Sequence, residues 1–254
     1  MRKKYRTELD SETGLLRIIA LTDFADVKKG DRGGLIEKES NLSQKGHCWV
    51  YENAHVYETA KVLGNAQIRD NAQISGSVRI SGCAKISGNA WVFENVEVYG
   101  DAYISGNARV YGLARVFNNA RVCGNAKVYG YSYVYEKAVV CGDAHISENA
   151  KIYGGALICG KAEVYGKAQV YGLAVVYENA KVCGEVQVSD NSKISGNVKL
   201  WSTMYSYIST SSIEKSKDYI ILTIGRDFFA FYCTPVIDDI ENVQIIRRIY
   251  GKEV

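Results

Sequence analysis

Three histidines, His47, His55 and His145, and seven cysteines are the side chains of this 254-residue chain best suited to proton transfer, nucleophilic attack or metal binding. Imidazole titrates near neutral pH, which suits a general base or a metal ligand, and a thiolate is both nucleophile and soft ligand. Cys123, Cys141 and Cys159 recur at intervals of eighteen residues, whereas His55 and His145 are ninety residues apart. What any of them can do depends on the elements that place them, and a repeat governs that placement.

An aliphatic residue recurs every six positions from Val50 to Leu200 without a miss, 26 times in succession. Two residues before it stands a small residue, nearly always alanine, as at Ala54, Ala60 and Ala66, relieved by Cys48, Ser132, Ser192 and a few valines. Two residues after it comes glycine in 16 of the 26 hexads, often followed by asparagine, as in Gly64-Asn65 and Gly106-Asn107. Alternate side chains of an extended segment face opposite ways, so the central aliphatic points inward and its two neighbours outward. Glycine and asparagine enter left-handed backbone conformations at least cost and turn the chain. The alanine then fills a tight interior corner.

Self-similarity at a fixed period marks a solenoid. Three sides close a triangular coil of eighteen residues, and stacked coils place each residue over its equivalent eighteen positions later, at ~4.8 Å. Sorted by side, the outward residues form columns. One reads Tyr99, Phe117, Tyr135, Tyr153, Tyr171; another contains Tyr57, Phe93, Tyr111, Tyr129 and Tyr165; a third contains Cys123, Cys141, Cys159 and Tyr177. The corner after the third side is rich in asparagine: Asn53, Asn71, Asn89, Asn107, Asn125. Ladders of like residues stabilise in-register sheets. The only proline, Pro235, lies outside the repeat, as a continuous hydrogen-bonded ladder requires.

The fold class is therefore all-β: a single-stranded parallel β-helix of about nine coils, three hexads per coil, with caps at both ends. Residues 1–47 form an N-terminal cap with a strand over residues 15–21 and a turn-rich stretch, Asp31-Arg32-Gly33-Gly34. Residues 48–203 form the β-helix, roughly 40 Å long. Residues 204–254 form a small β-rich C-terminal module with two strands joined by Gly225-Arg226.

A net charge of +3 is too small to announce a nucleic-acid or membrane partner. No apolar run reaches the length of a membrane span, and the basic start of the chain has no apolar core behind it, so it does not read as a secretory signal. A cytoplasmic location is the expectation. In that setting the cysteine file reads as reduced packing residues, and since a zinc-type site needs four converging ligands, a single file of thiols is assigned no metal.

The hexad, aliphatic then Gly-Asn-Ala, resembles the bacterial hexapeptide-repeat signature of left-handed β-helices over about three-fifths of the chain. The stretch Ile18-Ile19-Ala20-Leu21-Thr22-Asp23-Phe24-Ala25-Asp26-Val27-Lys28-Lys29-Gly30, with Gly33-Gly34 and then Asn41-Leu42-Ser43-Gln44-Lys45-Gly46-His47-Cys48-Trp49-Val50-Tyr51, resembles the N-terminal cap of the YdcK-like family of bacterial and phage proteins. The resemblance implies the left hand of the helix, a phage or bacterial source, and a fold shared with hexapeptide transferases, with no established reaction. Enzymes of that class use a histidine base beside a loop that interrupts the coils, with the acyl donor between subunits. Here the repeat never pauses for a loop. His55 and His145 lie on one face five coils apart, and the column of His145 holds Lys127 and Glu163. His145 is the one candidate base, and its plain reading is a solvated strand residue. A carbonic-anhydrase-like use needs three converging histidines, which this spacing excludes.

A binding surface is better supported. Val139, Leu157 and Val175, beside Cys123, Cys141, Cys159 and Tyr177, make an apolar strip on an outer face, and such patches mark contact sites. Its cover is a second copy of the chain or the module beyond residue 203, with self-association favoured. Basic residues beside the tyrosine columns, among them Arg109, Lys127 and Arg115, are interrupted by Glu97 and Glu163, so a nucleic-acid partner is not expected. The expected function is a non-catalytic, rigid scaffold or binding protein without a cofactor, phage or prophage encoded, whose partners are itself and an unidentified protein. The alternatives are a hexapeptide-class acyltransferase with its site at a subunit boundary, and a phage-encoded inhibitor of a host defence system acting by protein binding.

Overall fold

The computed structural model describes residues 3–208, 211–215, 219–224, 227–232 and 240–241, with side chains described for residues 3–201. Short parallel rungs, most of them two residues long, run from Trp49–Val50 to Val175–Val176 and continue in the longer strands Lys181–Val188, Lys193–Gly196 and Lys199–Ile208. Each rung pairs with the rung eighteen residues away: Lys85 lies beside Tyr103, Tyr103 beside Arg121, and Arg121 beside Val139. The inward aliphatics from Val50 to Ile194 and the corner alanines are fully buried. They form the dry bore of an all-β, single-stranded parallel β-solenoid of about nine coils.

Hydrogen bonding explains why the hexad must be so regular. Trp49 N–H donates to the carbonyl of Ala66 at 3.0 Å and Tyr51 N–H to that of Ile68 at 2.7 Å, a pattern of one donor from each outward position to the coil above. The corner alanine turns back instead: Ala54 N–H donates to the Tyr51 carbonyl at 2.9 Å. Nearly every buried backbone group thereby finds a partner, as burial demands.

The turning residue itself is in the left-handed region, as at Gly88 (φ 69°) and Gly106 (φ 70°). Where glycine is absent, the position is almost always acidic: Glu52, Glu58, Asp70, Glu94, Glu136, Glu148, Glu178 and Asp190 all have positive φ, with Asn118 the one neutral member. A side chain there costs about 1–2 kcal/mol. Several of these carboxylates recover that cost by accepting the corner N–H one coil later: Gly154 donates to Glu136 at 2.9 Å, Gly196 to Glu178 at 2.7 Å and Gly88 to Asp70 at 2.7 Å. The corner is thus closed either by glycine's freedom or by a carboxylate clasp.

The cap is an antiparallel sheet of β1 (Tyr5–Leu9), β2 (Leu16–Ala20) and β3 (Arg32–Ile36). β3 then pairs in parallel with His55–Val56, and Leu42 bridges to Val62, so the cap lays down one precursor coil in a register of twenty residues rather than eighteen. Gly33 and Gly34 lie inside β3 and are buried, which corrects their reading as a turn. An added Cβ would stand 2.5 Å from the Val50 carbonyl at Gly33 and 2.4 Å from the Ala54 carbonyl at Gly34. These glycines serve close backbone approach. The cap also supplies donors to the first coil: Leu35, Glu37, Ser43 and Cys48 N–H groups meet the carbonyls of Ala54, Val56, Val62 and Gly64, and the buried Asn41 amide meets those of Glu58 and Ala60.

Two polar clusters fasten it. The buried Lys4 ammonium donates to the carbonyls of Gly46 and Cys48 at 3.2 and 2.8 Å and lies over the Phe24 ring; burial lowers its pKa, and Cys48 partly opposes that. Asp26 accepts from the Tyr51 hydroxyl at 2.5 Å and from Arg69 at 2.6 Å, while the Arg69 guanidinium stacks 3.7 Å over the Tyr51 ring.

At the other end, parallel pairing runs on to Ile208 after a slip between Gly184 and Val186. The strand Ser211–Lys215 adds in parallel to Lys193–Gly196, and the strands Tyr219–Ile224 and Asp227–Tyr232 follow as an antiparallel pair. They prolong the sheet that carries the cysteine file, which reaches twelve strands. Residues 233–239 and 242–254 lie outside the described residues, and so do the side chains of the expected C-terminal module, residues 204–254.

Candidate functional site

The outer walls are flat two-residue rungs separated by corners; His55, His145, the apolar strip and the aromatic columns lie on them, and His47 precedes the first rung. His145 pairs in register with Lys127 on one side and Glu163 on the other, is half-buried, and its imidazole makes no hydrogen bond among the described residues. His55 lies on the same wall, near the cap. Burial, followed by the charge of Arg17, lowers its pKa, and Asp10 partly opposes the change. A shallow groove of 410 Å³ there is lined by Asp10, Arg17, Asn53, His55, Asn71 and Gln73. His47 is exposed and stacks against Phe24 at 6.4 Å. The geometry therefore brings no two histidines together and gives His145 no orienting partner, which a general base ordinarily requires. No group of three or more His, Cys, Asp or Glu side chains among the described residues is placed to share a metal ion.

The cysteine wall does bring its candidates together. Arg121, Val139, Leu157 and Val175 follow one another on paired rungs, and Cys123, Cys141 and Cys159 run alongside. Every member of the strip from Cys123 to Tyr177 is half-buried rather than sheltered. Burial, followed by the flanking thiols, pushes the Cys141 thiol up to about 11. The described strands beyond residue 203 extend this sheet at its end and do not lie across the strip. Below it, the wall becomes polar, with Arg121 over the Tyr103 ring at 5.6 Å and Tyr103 bonded to Ser87 at 3.1 Å.

The aromatic column is a continuous stack. Ring centroids from Tyr99 through Phe117, Tyr135 and Tyr153 to Tyr171 are 4.8 to 4.9 Å apart, with planes within 10°. Phe93, Tyr111 and Tyr129 repeat the arrangement on the neighbouring wall. Each ring covers the faces of the next, so the column offers ring edges and not the open faces on which a base stacks. Two of the cations on these walls are engaged as well: Arg115 pairs with Glu97 at 3.0 Å and, on the neighbouring wall, Lys181 with Glu163 at 2.9 Å.

The hexad pattern did not point to the corners as apolar sites. Leu113, Tyr131 and Leu173 are 42%, 59% and 63% exposed there, Leu113 and Tyr131 on adjacent coils. Their signal was a large apolar residue directly after the corner glycine, as in Gly112-Leu113-Ala114.

No family model matches the chain. A stretch of 49 residues, 19% of the chain, is 45% identical to a protein of Escherichia coli (strain K12) described as the uncharacterized acetyltransferase YdcK; the match covers 15% of that protein's length. Over that stretch the chain is similar to YdcK, and the stacked coils give it a β-helix fold.

Proposed function

We propose that this chain, a YdcK-like left-handed β-solenoid, is a rigid non-catalytic scaffold that binds protein, and first of all a second copy of itself, through the apolar strip of its cysteine wall. The observation behind this reading is the strip of Val139, Leu157 and Val175. It lies half-buried on a flat sheet, uncovered by the described strands, in a tube that extrudes no loop around His145. A flat face pairs well with its own copy about a two-fold axis. A phage or prophage source and a cytoplasmic location belong to the same reading.

The test is mass by light scattering together with thermal shift. The wild-type chain is expected to run as an oligomer and Leu157→Asp as a monomer with an unchanged circular dichroism spectrum, and acetyl-coenzyme A is expected to leave the melting temperature in place. A monomeric wild type would overturn the interface. Truncation after residue 203 is expected to leave the oligomer intact.

The second reading, an acyltransferase with its site at a subunit boundary, draws on the match to a protein whose name says acetyltransferase. It requires acetyl-coenzyme A to stabilise the protein and His145→Ala to abolish a transfer activity without changing the assembly.

A further inference from the structure

Cys123, Cys141 and Cys159 follow the inward residues Val122, Val140 and Ile158, which are paired in register on three neighbouring rungs. Their side chains therefore rise in file at the repeat of the coil, which the stacked rings of the same region measure as 4.8 and 4.9 Å. All three thiols are free, and Cys123 and Cys159 flank Cys141 on the two adjacent rungs. That spacing selects among sulfur chemistries. A disulfide needs β-carbons about 3.8 Å apart, closer than parallel side chains on rungs held from above and below. Zinc needs four ligands around it, and the wall supplies a line. A zinc–thiolate bond is about 2.3 Å, and two metal–sulfur bonds of roughly that length laid end to end span about 4.6 Å, somewhat less than the rise of one coil.

Thiolates select soft ions such as copper(I) over hard ones. The neighbouring column is Val139, Leu157 and Val175, which offers no competing oxygen or nitrogen donor side chain. The nearest carboxylate along the chain, Asp143, is engaged at its corner by the Asn125 amide at 2.8 Å. Low coordination is thereby favoured by the side chains that surround the sulfurs.

We propose that the cysteine file is a two-coordinate site for a soft monovalent cation of the copper(I) kind, held in line between Cys141 and one neighbour, Cys123 or Cys159. Binding forms two metal–sulfur bonds and releases the two thiol protons to solvent. No oxidation state changes. Cys141 is the shared member, because Cys123 and Cys159 are two coils apart and cannot bridge one ion.

The full-length, reduced chain, titrated anaerobically with copper(I) against a chromophoric copper(I) chelator, tests this. One ion per chain is expected, with X-ray absorption showing two sulfur neighbours. Cys141→Ser should weaken retention by more than the roughly 10- to 100-fold that losing a supporting partner of a ligand costs. Cys123→Ser and Cys159→Ser each leave one intact pair and should bind within a few-fold of wild type, whereas the double variant should behave like Cys141→Ser. Cys83→Ser, at an exposed corner, should change nothing. Retention by Cys141→Ser, equal loss in all three single variants, or loss on removing Cys83 would overturn the assignment, with circular dichroism confirming that each variant is folded.

Discussion

Ser132 occupies a corner that the hexad usually gives to alanine, and its hydroxyl is fully buried without a hydrogen-bond partner. Its column neighbours are Ala114 and Ala150. Ser132→Ala removes an unpaired polar group and is expected to stabilise the chain by about 1 kcal/mol, read as a raised denaturation midpoint with an unchanged slope. The carboxylate corners make a sharper residue-scale prediction. Glu136 sits at φ 58° and accepts from Gly154. Glu136→Ala keeps the conformational cost and loses the acceptor, so it should destabilise by about 1–2 kcal/mol; Glu136→Gly relieves the cost and should be nearly neutral. Equal effects of the two would refute the clasp. These carboxylates were legible in principle, since Glu and Asp fill the glycine position of the hexad again and again. Reading that position as a requirement for glycine or asparagine alone hid them, because the rule concerns isolated residues and the compensation comes from the next coil.

Among the elements, the rungs were the most readable, because a period of two within a period of six admits one inward residue and that residue had to be aliphatic. The cap was less so. Its leading strand was visible in the apolar run that becomes β2, but Gly33 and Gly34 looked like a turn until the backbone of Val50 and Ala54 was seen pressed against them. Nor could any local pattern show Asp26 meeting Arg69 across 43 residues. That contact predicts a pH response. The Tyr51 hydroxyl, and then Arg69, hold the Asp26 carboxyl below its ordinary value. A carboxylate depressed in the folded state contributes stability above its unfolded pKa, about 3.9, and loses it as the pH falls through the lower folded value. Asp26→Asn should therefore lower the melting temperature modestly at pH 7, since Asp26 is half exposed. The gap between variant and wild type should close below about pH 4. A gap that persists in acid would mean that packing of the Phe24 loop, and not this ion pair, fastens the cap.

The whole molecule is one-dimensional: a coil touches the coil before it and the coil after it, so stability is a sum of neighbour terms. Deleting residues 107–124 joins Gly106 to Asn125 and re-forms every column, with Phe93 under Tyr129, Tyr99 under Tyr135, and Asn89 under Asn125. Deleting residues 107–112 instead turns all later coils by one wall and sets each ladder against the wrong neighbour. The first variant should fold cooperatively and the second should not, as judged by circular dichroism and thermal melting. Two folded products would show that the columns carry no register information. Function is less legible at this scale for the same reason that the fold is more so. The repeat dictates the bore, and leaves the outer walls free to vary from Arg121 to Val139 to Leu157 without disturbing it.

The ladder also has a direction. The outward positions donate their N–H groups to carbonyls of the coil above, as Leu35 does to Ala54 and Trp49 to Ala66, while the parallel pairing of the inward residues returns donors to the coil below. A tube cut at both ends would expose a row of unpaired N–H and C=O groups at each end, as any sheet edge does. Because all coils run the same way, one such end continues the parallel ladder of the other head to tail, which is the geometry of an open filament. β3 and the Asn41 amide cover the edge at the amino end, pairing with His55–Val56 and with the carbonyls of Glu58 and Ala60, and so stand in the way of such stacking.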